Sequence, residues 1–160
     1  RASRARPAVQ LLGASGWNHA AVVDRGDNLT DNAVFVDTFF HDPDDVEADR
    51  FARRFYSRYK RRASTFHAEV HDAAAIVLGS LKGVEGDGHG LRAQVLQNLT
   101  TTRNFRGATG FISILDHGGV VRKPRLLTID LDDIRVRLSE DEEEALRRRR
   151  FAPREEDGPR

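Results

Sequence analysis

The stretch NAVFVDTFF, residues 32–40, decides the fold because apolar side chains occupy both its odd and its even positions. Val34 and Val36 alternate with Phe35, so an extended backbone would present two apolar faces. Strands with two apolar faces are typical of a parallel sheet that helices cover on both sides. The stretch therefore predicts the central parallel strand of an α/β sheet.

The stretch VQLLGASGWNH, residues 9–19, precedes it and begins with a second apolar run over residues 9–12. A loop with two glycines and the chain's only tryptophan follows, and residues 20–24 then fit a short helix. Parallel strands need such a crossover connection. The runs 9–12 and 34–40 are therefore predicted to be neighbouring parallel strands.

Downstream, the segment HDPDDVEADRFARRFYSRYKRR predicts an amphipathic helix. Asp42 fits the N-cap and Pro43 the first helical position. Its inner stripe would be Phe51, Phe55 and Tyr59. The basic end complements the helix dipole, and we interpret it so, rather than as a nucleic-acid patch, because the net charge of the chain is only +1.

Two further helices are indicated. The first, over residues 66–81, has a wide apolar face and is predicted to be the most buried helix; its members are Phe66, Val70, Ala73, Ala74, Val77, Leu78 and Leu81. The glycine-rich segment 83–90 separates it from a helix that carries Leu91, Val95 and Leu99.

The C-terminal third predicts strands and a charged tail. GFISILDHGGVVRKPRLLTIDL fits a β-hairpin with its turn at residues 116–119, and a final strand is expected to continue into DDIRVRL. Ser139 and Glu142 then form a capping box at the start of SEDEEEALRRRR. We expect an exposed tail helix, supported by charge pairs, that contributes little to stability.

Composition limits the function classes. With 160 residues and 39% hydrophobic content the chain suffices for one domain or part of a larger one, and with no cysteine it has neither a disulfide scaffold nor a thiolate site. No apolar run approaches the roughly 20 residues of a membrane helix. Because the sequence shows no initiator methionine and no signal-like segment, we expect it to begin within a longer protein.

Catalytic and metal motifs are weak. His67 and His71 have a zinc-compatible spacing, but HAEVH is not H-E-x-x-H and no third ligand is identifiable, so packed histidines are the default. The carboxylates of residues 42–45 lack calcium-loop spacing. G-A-S-G-W around Ser15 matches a nucleophile elbow only in part. No dinucleotide or P-loop motif occurs.

The order of these features resembles the C-terminal half of a type I periplasmic binding protein, closest to the leucine/isoleucine/valine-binding-protein-like receptors of ABC transporters. The resemblance covers residues 8–138 and includes H-D-A at residues 71–73. Its most specific part is residues 105–130, where the matching positions are Phe105, Gly107, Thr109, Gly110, Asp116, Gly118, Lys123 and Pro124.

The resemblance implies Rossmann-like lobes with a parallel sheet, here partial, with a C-terminal β-hairpin and a charged tail helix. Residues 8–62 would supply the second half of the C-terminal lobe, 63–104 the crossover helices of the N-terminal lobe, 105–138 the hinge and closing strands, and 139–160 the tail. It implies a small ligand, an ABC permease as partner, no cofactor, no catalysis, and a place in the bacterial periplasm or on the outer membrane.

A ligand-binding loop is expected at the carboxyl end of the first strand, where α/β sheets form their crevice. Its residues would be Gly13, Ser15, Gly16, Trp17 and Asn18. The glycines would admit close approach of backbone to ligand, and Trp17 would stack on the ligand, unless it fills the core of the lobe instead. Ser15 stands where amino-acid receptors of this family often have an acid, which disfavours an ammonium-bearing ligand.

A second function class stays open. The same two-lobed fold occurs in lipoproteins that activate peptidoglycan synthases, where contact with a partner replaces transport. A polar cleft would favour the receptor, whereas a filled cleft with an exposed apolar patch would favour the interaction module.

Overall fold

The structure, a computed structural model, describes residues 9–26, 29–86, 88–130 and 133–137. The helices of this part are α1 Ala20–Gly26, α2 Val46–Tyr59, α3 Thr65–Ser80 and α4 Gly88–Thr100. Its strands are β1 Leu12–Gly13, β2 Val34–Asp37, β3 Phe105–Gly107, β4 Gly110–Ile114, β5 Val120–Arg122, β6 Arg125–Asp130 and β7 Asp133–Val136. The predicted tail helix lies outside the described residues.

The main sheet has the strand order β1-β2-β6-β7. β1 and β2 are parallel, with Leu12 opposite Val34, and α1 connects them. This confirms the predicted pair of neighbouring parallel strands. The first strand is shorter than predicted, however, because β1 covers residues 12–13 and not 9–12, and Val9 and Leu12 are exposed and not buried as expected. On its other side β2 pairs with β6 in antiparallel orientation, so β2 is central in a mixed sheet.

The C-terminal hairpin is confirmed as β4 and β5, which form an antiparallel sheet with β3. Gly118 takes the left-handed conformation that the turn needs, at φ +83°. The final strand, however, is divided in two. β6 ends at Asp130 and β7 pairs back along it, with Ile129 opposite Ile134, so β7 fills the hydrogen-bonding edge that β6 would otherwise expose.

Helix α2 begins three residues later than predicted. Asp45, not Asp42, is the N-cap, and its carboxylate accepts hydrogen bonds from the N–H groups of Glu47 and Ala48 at 3.2 and 3.4 Å. Residues 42–45 form a turn instead, in which the Asp42 carbonyl accepts the Asp45 N–H at 3.1 Å, and the guanidinium of Arg125 on β6 binds the carboxylates of both Asp45 and, at 3.6 Å, Asp42. Such an ion pair is not visible in a local sequence pattern.

Asp49 follows on the same helix, and its carboxylate binds Arg53 at 2.8 Å and His41 at 3.0 Å. Hydrogen bonds from Arg53 first, and from His41 second, hold the pKa of Asp49 below its ordinary value. Of the predicted inner stripe of α2, Phe51 is buried and Phe55 half-buried, but Tyr59 is exposed.

Two clusters form the core. One lies between the main sheet and α1, and its buried members are Val23, Ala33, Phe35, Leu127 and Ile129. The other lies between α2, α3 and the β3–β4 connection, and consists of Phe39, Ala48, Phe51, Ala52, Ala68 and Ala108. Each cluster contacts only one side of the main sheet or of α3. Much of the opposite side of the sheet and of α3 is therefore not covered by the described residues.

The uncovered faces are apolar. On the main sheet Val36 and Leu126 lie opposite each other and are each 43% exposed. On α3, Phe66 is 71% and Leu78 65% exposed. The second face of β2 is covered at Val34, which is 6% exposed, but not at Val36. Of the helices that the structure describes, α3 has the most buried residues, as predicted, but they do not belong to its predicted apolar face.

The physical reason is that α3 packs through its small and polar side. Ala68, Asp72, Ile76 and Ser80 are its buried residues. They face α4 and the β3–β4 connection, to which Ser80 and Asp72 hydrogen-bond. The apolar stripe that the sequence pattern assigns to the interior is instead largely exposed in the described part of the chain, with Leu78 65% and Val77 47% exposed.

Candidate functional site

The predicted loop lies at the carboxyl end of β1, where residues Ser15–Trp17 form one turn of 3-10 helix. Ser15 and Gly16 are exposed, whereas Trp17 and Asn18 are half-buried. Within the turn the N–H of Trp17 bonds to the carbonyl of Ala14 and that of Asn18 to Ser15. The N–H groups of Ser15 and Gly16 have no acceptor among the described residues, so solvent or a ligand can reach them.

The indole of Trp17 packs inward from this loop. It contacts the core cluster around Phe35 and Leu127. A Cβ built on Gly13 would lie 2.7 Å from the indole ring, so the ring itself occupies the space that this glycine leaves. Gly13 is thus required for the packing of Trp17, and the ring stabilises the sheet edge whatever else it contacts.

Asn18 connects the loop to the end of β2. Its side-chain amide donates to the Asp37 carboxylate at 2.7 Å and to the carbonyl of Phe39 at 2.9 Å. Asp37 is 2% exposed and also accepts from the Thr38 N–H at 2.7 Å and the Thr65 hydroxyl at 2.6 Å. Three donors compensate for the burial of this carboxylate.

The same edge extends to α3 and β5. The Thr38 hydroxyl donates to Glu69 at 2.9 Å, and Arg122 binds the same carboxylate oxygen at 3.0 Å. Glu69 and Arg122 are both partly exposed. We call Asn18, Asp37, Thr38, Thr65, Glu69 and Arg122 the strand-end cluster.

Sequence reasoning found Asn18 in this cluster and missed its other five members. A signal existed for Asp37 and Thr38, since both stand at the carboxyl end of an apolar strand, where α/β folds place their functional residues. No local pattern marks Thr65, Glu69 or Arg122. They reach the site only because α3 and β5 fold against the end of β2.

Asp72 holds α3 to the β3–β4 connection. This carboxylate is 1% exposed and accepts hydrogen bonds from the N–H groups of Ala108 and Thr109, each at 2.8 Å, and from the Thr109 hydroxyl at 2.7 Å. A Cβ on Gly107 would lie 2.4 Å from its carboxyl carbon. The motifs H-D-A at residues 71–73 and F-x-G-x-T-G at residues 105–110 are therefore in direct contact. The aspartate of the first accepts hydrogen bonds from the second, and the glycine at 107 leaves the space that its carboxylate occupies.

His67 and His71 are packing residues. Their rings pack against α2 in tilted contacts, with centroids 4.5 Å from Phe55 for His67 and 4.8 Å from Phe51 for His71. The Nδ1 atom of His67 accepts the Ser64 N–H at 3.0 Å. No group of three metal-ligating side chains occurs within residues 9–26, 29–86, 88–130 and 133–137.

No protein-family model matches the sequence, and no curated protein matches it. Solved structures do match in fold. A putative branched-chain amino acid ABC transporter protein from Rhodospirillum rubrum superposes with a TM-score of 0.69 at 19% identity, over 82% of this chain and 38% of that one.

Two liganded proteins are similar at a comparable level. The branched-chain amino acid transporter substrate-binding protein LivJ of Streptococcus pneumoniae, in complex with isoleucine, has a TM-score of 0.64 at 22% identity, over 79% and 36% of the two chains. A solute-binding ABC transporter protein of R. palustris, in complex with benzoate, has 0.61 at 18%, over 79% and 34%.

The chain therefore spans a little more than a third of the length of the solved structures that it resembles. In the part that the structure describes, no helix has the length and apolar character needed to cross a membrane. The resemblance inferred from the sequence is confirmed at the level of the fold. The chain has the α/β fold of part of a type I periplasmic binding protein.

Proposed function

We propose that the chain is part of an extracytoplasmic solute-binding receptor of an ABC transporter in the bacterial envelope. It would hold a small amino-acid-like or amide-like ligand between two lobes, without catalysis, and present it to a permease. One observation carries the proposal: the Ser15–Trp17 turn, in which Ser15 and Gly16 are exposed, lies beside the strand-end cluster, at the carboxyl end of the parallel strands. Ligands bind at this edge in open α/β sheets.

The groups in the loop indicate the chemistry of the ligand. Ser15 offers a hydroxyl and, with Gly16, exposed N–H groups, which suit a carboxylate or an amide oxygen. The loop has no carboxylate to pair with an ammonium, and Asp37 is buried and already accepts three hydrogen bonds. A ligand without a positive charge fits this edge best, because an unpaired buried charge costs about 3–5 kcal/mol.

The test is a calorimetric titration of the full-length protein with leucine and with its desamino analogues 4-methylpentanoate and 4-methylpentanamide. We expect a desamino compound to bind at least tenfold more tightly than leucine. Ser15→Asp should shift the preference toward leucine, while Ser57→Asp, on the exposed surface of α2, should not. Trp17 is the only tryptophan of the 160 residues, so the fluorescence of this chain reports on the loop directly.

Equal binding of leucine and the desamino compounds would overturn the ligand class. A folded protein that binds none of the three, nor benzoate, would overturn the receptor proposal itself.

The uncovered apolar faces support the two-lobed arrangement. Val36 and Leu126 on the sheet, and Val77 and Leu78 on α3, are exposed apolar residues against which further parts of two lobes would pack. The division into residues 8–62, 63–104 and 105–138 stays a prediction. Limited proteolysis of a longer protein, with cleavage at the exposed residues 60–62 in the free form and protection by ligand, would test the boundary between the first two segments.

The same faces also favour the second candidate, an interaction module such as an activator of a peptidoglycan synthase, since exposed apolar patches mark protein contacts. Hydrogen exchange on the longer protein separates the two. Protected β2 and α3 in the absence of any partner favour the receptor, whereas protection that appears only with an added synthase favours the interaction module.

A further inference from the structure

A concave site lies between α2 and α3, away from the loop at residues 13–18, and β3 lines one part of it. Its volume is about 600 Å³, within the range of small-molecule pockets. None of the loop residues 13–18 lines it. We call it the aromatic groove and define it by the rings of Phe51, Phe55, Tyr59, Phe66, His67 and His71.

The rings of the aromatic groove contact one another and are therefore held in place. Phe55 lies 4.6 Å from Tyr59 and 4.5 Å from His67, between ring centroids. Phe51 lies 4.8 Å from His71. Such a wall suits a flat aromatic ligand, which gains from offset or edge contacts without needing the wall to rearrange.

The charges at the groove are predominantly positive. Arg50, Arg54 and Arg106 line it, against one acid, Glu47, which Arg50 binds at 3.0 Å. Arg54 and Arg106 have no carboxylate partner among the described residues, and Arg106 lies over the ring of Phe111 at 5.8 Å. Two guanidinium groups are thus available beside an aromatic wall, and a guanidinium binds a carboxylate in bidentate geometry.

We propose that the aromatic groove binds a small aromatic carboxylate, with the ring of the ligand against Phe55 and Tyr59 and its carboxylate at Arg54 or Arg106. Charge complementarity and volume select this occupant. A neutral apolar molecule would leave both guanidinium groups unused, and an amine would be repelled by them. The site is separate from the Ser15–Trp17 loop and does not depend on the receptor function proposed above.

The test uses 2-naphthoate and its neutral analogue 2-naphthamide as probes in calorimetric titrations of the full-length protein. We expect 2-naphthoate to bind at least tenfold more tightly than 2-naphthamide. The double variant Arg54→Gln/Arg106→Gln should remove this difference. Arg58→Gln is the matched control, because Arg58 is an exposed arginine of the same helix that does not line the groove.

Two more variants locate the probe. Phe66→Ser removes an exposed ring from the groove and should weaken binding severalfold without unfolding the protein. Ser15→Asp should leave 2-naphthoate binding unchanged, because the loop lies outside the groove. Equal binding of acid and amide, loss of binding in Ser15→Asp or Arg58→Gln, or no binding of 2-naphthoate to the folded protein would each overturn the proposal.

Discussion

At the scale of single residues, two buried carboxylates organise the structure. Asp37 accepts donors from the loop after β1 and from α3, and Asp72 accepts donors from the β3–β4 connection. Each joins elements that are distant in sequence. Burying a carboxylate is unfavourable unless several donors compensate for it, so both positions should tolerate substitution poorly.

We expect Asp72→Ala to lower the free energy of unfolding by about 3 kcal/mol or more, because it leaves the N–H groups of Ala108 and Thr109 and the Thr109 hydroxyl without their acceptor. Chemical denaturation measures this. The control is Asp116→Ala, whose 92% exposed carboxylate pairs with Arg103 and should contribute less than about 1 kcal/mol. Equal effects of the two variants would contradict the structural role given to Asp72.

A double-mutant cycle tests the packing of Trp17 on Gly13. Gly13→Ala alone should destabilise the fold, because the new Cβ would lie 2.7 Å from the indole ring. In a Trp17→Ala background the same change should cost little, which gives a coupling energy of at least about 1 kcal/mol. Additive effects in thermal or chemical unfolding would show that the ring does not pack on Gly13.

At the scale of elements, α3 packs through a different face from the apolar stripe that its sequence pattern predicts to be buried. Ile76 is buried at 9% exposure, whereas Leu78, two residues on, is 65% exposed. An apolar stripe predicts burial only where another element is present to cover it. The pattern therefore identified the correct helix, while its packing direction depended on Asp72 and on α4.

Two substitutions on α3 separate these faces. In the 160-residue chain, Ile76→Ala should lower the free energy of unfolding by about 2–4 kcal/mol, because it leaves a cavity against the core. Leu78→Gln should change it by less than about 0.5 kcal/mol at concentrations where the chain is monomeric, because the side chain is 65% exposed and has little buried area to lose. If Leu78→Gln proves the more damaging in urea titrations of this chain, the helix packs through its apolar stripe.

At the scale of the whole molecule, one side of the main sheet and one side of α3 present apolar surface. Exposed patches of this kind promote association in water. The described part of the chain therefore has apolar surface of the kind that other parts of a larger protein cover. This agrees with the comparisons, in which the chain matches a little more than a third of the length of each solved structure.

We expect the 160-residue chain by itself to self-associate at micromolar concentration and to bind a fluorescent apolar dye. Leu126→Thr and Leu78→Gln together should reduce both effects, since they place polar groups on the two uncovered faces. Sedimentation velocity gives the association state. Substitution of the buried Leu127 is not a suitable comparison, because it would unfold the sheet. A chain that remains monomeric and binds no dye would contradict the exposure of these faces.

The sequence by itself determined the elements and their class. Apolar runs separated by a short helix predicted the parallel pair β1 and β2, and a glycine in a D-x-G-G turn predicted the β4–β5 hairpin, because both depend on local backbone preferences and periodicity. The order of motifs around Phe105–Asp130 predicted the fold family. The location of the loop at residues 13–18 followed from the strand-end rule alone.

Only the tertiary structure decided how these elements meet. Arg125 on β6 binds the turn at residues 42–45 that precedes α2, β7 turns back along β6, and α3 brings Thr65 and Glu69 to the end of β2. Each outcome rests on an ion pair, a strand pairing or a hydrogen bond between residues far apart in the chain. Such contacts carry no periodic signal, because the free energy that selects them arises only after the elements have packed.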